Sequence, residues 1–305
     1  MRYREGGDID LSGVQDRRGG GRFGGGRGIA VGGGGLGIVG LLVVVLLQLA
    51  GGGDGSTGAA LGELAGLGSG ETADNSELEA SCRDSGAANE SVDCAVAADI
   101  ESVQDFWTSA LGAAYRPTDT VFFSGSVQTA CGGASSGSGP FYCPADQLVY
   151  IDLSFFDQLQ SQFGARGGLF VNAYVIAHEY GHHVQNLLGT NARVAPGETG
   201  PRSGTVRLEL QADCYAGAWA HHAETVPDES GAPLIAEITR DDIDRALDAA
   251  ARIGDDFIQE NLGGGRIDQD AFTHGSSEQR QKWFMTGYES GDPRRCDTFA
   301  TDDLG

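Results

Sequence analysis

The 305-residue chain reads as an α+β domain, a small β-sheet with a set of helices, preceded by one transmembrane helix. Three observations carry that reading. An uncharged apolar run extends from Gly28 to Gly53. Short β-rich runs cluster between residues 120 and 153. From Phe155 onward, apolar residues recur at helical spacing.

The apolar run comes first. Residues 1–50 hold six Arg and four acids, so the remaining residues carry 14 basic and 39 acidic groups out of totals of 20 and 43. A bilayer core needs roughly 20 helical residues, and residues 28–50 supply them. Arg17, Arg18, Arg22 and Arg27 precede the run, which predicts a cytoplasmic N-terminus. The 27 residues ahead of it are long for a signal peptide, and Gln48 spoils a small-residue cleavage site at Ala50. The expected order is a cytoplasmic segment 1–27, a membrane anchor 28–50 and a Gly/Ser-rich linker 51–75. An extracytoplasmic domain, 76–305, follows at the cell membrane. A net charge of −23 argues against a nucleic acid partner, whose phosphates it would repel.

All six cysteines lie beyond the anchor, an even count that suits disulfides outside the cytoplasm. Six cysteines allow 15 pairings. Proximity favours Cys82 with Cys94 and Cys131 with Cys143, which leaves Cys214 with Cys296. No CxxC pair supports a zinc knuckle.

Within the domain, Glu77 to about Leu111 reads as a helix, with Val96, Ile100, Val103, Phe106 and Trp107 on one face. Thr120–Phe123, Ser126–Thr129 and Leu148–Leu153 read as strands, and 132–139 as a Gly/Ser loop bracketed by Cys131 and Cys143. Helices follow at Phe155–Phe163 and Leu169–Leu188, the second stopped by Gly189. After a loop over 190–204, Thr205–His222 is helical, with Ala212, Ala216 and Ala220 as a small-residue stripe. Thr239-Arg-Asp-Asp242 resembles a capping box that opens a helix through Gln259. A last helix spans about Ser276 to Tyr288.

The chemistry sits in His178-Glu179-Tyr180-Gly181-His182. Two His four apart lie one turn apart on one helical face and can grip a single metal ion. Glu179 stands beside that face, placed to take a proton from a metal-bound water. Positions 185 and 188 are Gln and Leu, so no third His follows at close spacing. Glu209-Leu-Gln-Ala-Asp213 on the next helix offers the third ligand, Glu209. It also offers Asp213, which would accept the free ring N–H of a ligand His and fix its tautomer. The predicted site is a His₂Glu zinc site with Glu179 as general base. A donor to the oxyanion must come from elsewhere. Of Tyr180, Tyr215, His274 and Arg280, Tyr180 points away round the helix, and His274 is favoured because its loop leads into the last helix. Arg280 would orient that loop or bind the substrate main chain. His183, His221 and His222 read as packing or hydrogen-bonding residues.

Four segments resemble the bacterial family of neutral zinc metallopeptidases. They are Ala173-Tyr-Val-Ile-Ala-His-Glu-Tyr-Gly-His-His-Val-Gln-Asn186, Leu208-Glu-Leu-Gln-Ala-Asp-Cys214, Gly139-Pro-Phe-Tyr-Cys-Pro144 and Thr273-His-Gly275. Asp16-Arg-Arg-Gly19 before the Gly-rich anchor is similar too, although Gly13-Val14-Gln15 is less acidic than the family's pattern there. The resemblance implies a zincin-like fold, Zn²⁺ as cofactor and a peptide or protein substrate, without naming that substrate. Leu148–Leu153 is the expected strand to hold it extended. Two alternatives are a zinc-stabilised envelope scaffold that cleaves nothing and an amidase acting on cell-wall peptides. The intact Glu179 argues against the scaffold, since a structural site needs no general base.

Overall fold

The computed structural model describes residues 1–18 and 73–305. The expected anchor, 28–50, and most of the linker lie outside the described residues. Among the described residues no helix is long and apolar enough to cross a membrane.

The chain opens with two short strands, β1 (Arg2–Tyr3) and β2 (Val14–Asp16). Helices α1 (Ser76–Ser81) and α2 (Val92–Leu111) follow. Here a single helix was expected from Glu77 to Leu111. It breaks because the Asp84 side chain accepts the Gly86 N–H and starts a 3₁₀ turn, and the Cys82–Cys94 disulfide folds α1 back onto α2.

Strands β3 (Thr120–Phe122), β4 (Ser126–Thr129), β5 (Gly132–Ser135), β6 (Phe141–Cys143) and β7 (Leu148–Ile151) come next. They form a four-stranded sheet in the order β2-β3-β7-β6 and a separate β4-β5 hairpin. The hairpin uses part of the segment read as loop. Strands β2, β3 and β7 run parallel, and β6 is antiparallel to β7. Strand β8 (Ile235–Glu237) pairs with β1.

Helices α3 (Phe155–Ser161), α4 (Leu169–Leu187) and α5 (Gly204–His222) carry the chain across the sheet. Then come α6 (Arg240–Arg252), α7 (Asp255–Asn261) and α8 (Ser277–Ser290). The Thr239 capping box forms as the sequence indicates. The helix expected to run from it to Gln259 stops at Ile253, where Gly254 turns extended at ψ 143° and the Asp255 N–H donates to Gly275 O, in the loop before α8, instead of to the helix.

Glycine also sets how close the helices lie. A Cβ on Gly217 of α5 would overlap the carbonyl oxygen of Phe284, and one on Gly287 of α8 would overlap that of Cys214. The two helices therefore touch backbone to backbone. Gly181 plays a milder part between α4 and α5, where a Cβ would stand 3.0 Å from Cα of Ala212.

The N-terminal segment is the main departure from the sequence reading. Residues 1–18 were expected to sit apart from the domain, yet they supply β1 and β2 to it. Tyr3 is fully buried and donates its hydroxyl to Asp99 at 2.8 Å. The domain therefore comprises 1–18 together with 73–305. The three disulfides join Cys82 to Cys94, Cys131 to Cys143 and Cys214 to Cys296.

Candidate metal centre

Helix α4 presents His178 and His182 one turn apart, with ring centroids 4.8 Å from each other. Helix α5 lies against it and brings Glu209 to the same place. His178 Nε2 is 3.2 Å from Glu209 Oε2, and His182 Nε2 is 3.6 Å from Glu209 Oε1. One donor atom from each of the three residues lies within 4.8 Å of the others. This is the set the spacing predicted.

Both imidazoles are held from behind. His178 Nδ1 lies 2.9 Å from Asp213 Oδ1. A carboxylate only accepts, so Nδ1 donates to Asp213, which leaves Nε2 facing Glu209 and free to offer its lone pair to an ion bound there. His182 Nδ1 lies 2.9 Å from Gln185 Oε1, and the Gln185 amide donates to Leu208 O at 2.7 Å. Gln185, set aside as a ligand in the sequence, orients the second histidine instead. Asp213 is held in turn by Tyr174 Oη at 2.6 Å and by Arg280, whose Nε and Nη2 lie at 2.8 and 2.9 Å. Arg280 is fully buried. It does not reach out to a substrate main chain, one of the two roles expected of it.

The electrostatics follow from this packing. Burial opposes charge on Asp213, but the Arg280 guanidinium and His178 outweigh it and hold the carboxyl down to about 2. Burial likewise opposes charge on Glu209, which His182 and His178 push well below the usual carboxylate range. Burial pushes Glu179 up, only partly offset by His178 and His182.

Glu179 is buried at 1% exposure. The Tyr142 backbone N–H lies near its carboxylate, and among the described residues Oε1 has no hydrogen-bond partner. An unpartnered buried carboxylate oxygen beside three inward-facing donor atoms fits a metal ion carrying a water, since that water would satisfy it. Tyr142 belongs to β6, an edge of the sheet. The expected substrate strand, Leu148–Leu153, forms β7 over Leu148–Ile151, which is paired on both sides with β3 and β6 and has no free edge to offer. Strand β6 borders the site instead.

His274 is buried in the loop before α8. Asp255 Oδ2 accepts the N–H groups of Thr273, His274 and Gly275 at 2.7, 2.7 and 2.9 Å. Asp255 Oδ1 lies 3.4 Å from His274 Nδ1. His274 stays outside the three-donor cluster but is among the charges that lower Glu209. Tyr180 points to the sheet, with its hydroxyl 3.0 Å from Thr120 Oγ1, and Tyr215 packs edge-on against Trp107. His183 bonds Arg116 O at 2.7 Å, and His221 and His222 bond the backbone at Tyr288 and Gly291. All three are structural, as the sequence suggested.

The sequence reading missed Tyr174, Gln185 and Asp255. The first two had a signal, since each sits a helical turn from a ligand histidine. Asp255 had none, because only the fold brings it to His274.

A family model described as "putative neutral zinc metallopeptidase" matches residues 1–299. An uncharacterized protein of Mycobacterium tuberculosis is 52% identical over 225 residues, 73% of this chain and 76% of its own length. The uncharacterized protein YpfJ of Escherichia coli is 42% identical over 208 residues, 66% of this chain and 69% of its own length. No solved structure matches the chain.

Proposed function

The chain belongs to the family of neutral zinc metallopeptidases, whose cofactor is Zn²⁺, and from that premise we propose that it hydrolyses peptide bonds with Glu179 as general base. His178, His182 and Glu209 would hold the zinc. When bound there, the ion would lower the pKa of a water towards ~7 and polarise the scissile carbonyl. Glu179 takes the proton of the attacking water and delivers it to the leaving amine. Burial, which raises its affinity for a proton, suits it to both halves of that exchange. His274, held by Asp255, faces the oxyanion that forms on the carbonyl. The β6 edge gives an extended substrate a backbone to pair with. This reading takes the fold as zincin-like.

The observation that carries the proposal is the unpartnered Oε1 of Glu179 next to the three donors. A structural zinc site needs no such group. The test is Glu179→Gln, assayed against a peptide library with zinc measured alongside. We expect one zinc per chain and native melting in both proteins, with hydrolysis lost in the variant. Hydrolysis near the wild-type rate would remove Glu179 from its role. No hydrolysis by either protein would favour the scaffold reading, and release of amino acids from cell-wall peptides alone would favour an amidase.

We also propose that residues 28–50 attach the protein to the membrane and that the domain lies outside the cytoplasm. Three disulfides and the apolar stretch support this.

A further inference from the structure

We infer that residues 1–18 and 73–305 lie on the same side of the membrane. The inference rests on the membrane attachment proposed above and not on the peptidase reading.

A single crossing over 28–50 would put the two parts on opposite sides. The structure joins them at every level. Strand β2 pairs in parallel with β3 through Val14–Thr120, Gln15–Val121 and Asp16–Phe122. Strand β1 pairs with β8. Tyr3, Ile9 and Val14 are buried in the same core as α2 and α4. Tyr3 N–H donates to Asn89 Oδ1, and Asn89 Nδ2 returns a bond to Tyr3 O, at 2.8 and 3.1 Å. Taking the segment away would also strip Asp99, fully buried, of its Tyr3 partner, while its other oxygen has none among the described residues. A buried carboxyl with no partner is costly, so the domain is built around this segment.

The two described ends that flank residues 19–72 are side by side. Asp74 N–H donates to Asp16 O at 2.8 Å, and the Asn75 side chain bonds Asp16 N–H at 2.9 Å and Val14 O at 2.7 Å. The chain therefore leaves and returns at one place. Nine residues lie between Arg18 and Gly28, so an apolar run in the lipid begins within ~35 Å of this end of β2.

The arginines ahead of the apolar run are partly spent on the domain. Arg18 is engaged by Asp16 and Asp93 and lies over the Phe122 ring, and Arg17 bonds Gln15 and Phe122 O. Two of the four flanking arginines serve the domain.

The test uses the full chain, whose six native cysteines are all paired. Asp8→Cys and Glu260→Cys, both at exposed positions, are labelled separately with a membrane-impermeant maleimide in intact and in lysed cells. Bound zinc reports that each variant is folded. Equal labelling of both from outside is the expected result. Labelling of both only after lysis also supports one shared side, while moving the domain to the cytoplasm. Outside labelling of position 260 with position 8 protected until lysis overturns the inference. So does recovery of the protein entirely in the soluble fraction. Arg2→Cys with Glu237→Cys, register partners across β1 and β8, should cross-link in native membranes. Absence of the cross-link in zinc-loaded protein counts against it.

Discussion

Asp213 receives four hydrogen bonds, from His178, Tyr174 and twice from Arg280. A buried carboxylate of this kind orients a ligand only while its counter-charge is in place. Replacing Arg280 by Met removes the cation and leaves the anion, which costs about 3–5 kcal/mol of stability. Asp213→Ala should weaken zinc binding by about 10–100-fold, as losses behind a ligand histidine do. Competition with a chelator measures the affinity and thermal melting the stability. Zinc affinity unchanged in Asp213→Ala would mean His178 is oriented by its ring packing alone. His274 makes a different demand. If it binds the oxyanion, His274→Ala lowers kcat/KM by roughly 10²–10³ with zinc content unchanged. A variant that melts early but keeps its specific activity returns His274 to a packing role. The ligands were readable in the sequence because i,i+4 spacing is a local property, and Glu209 with Asp213 repeats it. Arg280 lies 67 residues from Asp213, so its charge was visible but its partner was not.

Helix α2 links the N-terminal segment to the core, and its acids show what that docking costs. Glu101 accepts the Asp10 N–H at 2.7 Å. Burial pushes Glu101 up to about 7 and Asp105 up to about 6, with nearby Asp10 and Asp228 adding to both. The folded state thus holds protons that the unfolded chain releases near pH 4. Their contribution is fully present below that pH and is lost as pH rises through 6 to 7. Glu101→Gln keeps an acceptor for Asp10 and removes the charge. It should raise the melting temperature at pH 8 by about 2–4 °C and change little at pH 4.5. An equal shift at both pH values would show that the effect is not the charge. At this scale the sequence was read unevenly. The amphipathic helices and the Thr239 cap follow local rules and were found. Strands of two to four residues carry too few alternations to register a period, so β1, β2, β5, β6 and β8 were missed. The break at Gly254 belongs to the contact with the loop before α8, which no local pattern encodes.

For the molecule as a whole, the domain is closed by pairings between distant parts of the chain. Cys214–Cys296 ties the C-terminal tail to α5, and β1 and β2 tie the N-terminus to β8 and β3. The break in composition at the apolar run suggested two independent parts in the sequence. That reading failed because composition records solvent preference and not strand pairing. The pairing predicts that residues 19–72 are dispensable to the fold. Asp16 O and Asp74 N are hydrogen-bonded, so about six Gly and Ser residues can bridge Arg18 to Ala73 without strain. Shortening a 54-residue connection to about six lowers the entropy of closure by at most about 2 kcal/mol, from the logarithmic dependence on loop length. The shortened protein should therefore be soluble, bind one zinc, form all three disulfides and melt no lower than the full chain in detergent. Deleting residues 1–18 instead removes β1 and β2, exposes the β3 edge and leaves Asp99 without Tyr3. That protein should lose its cooperative transition. If it folds and binds zinc as well as the shortened one, the N-terminal strands contribute little, and the domain ends where the composition changes.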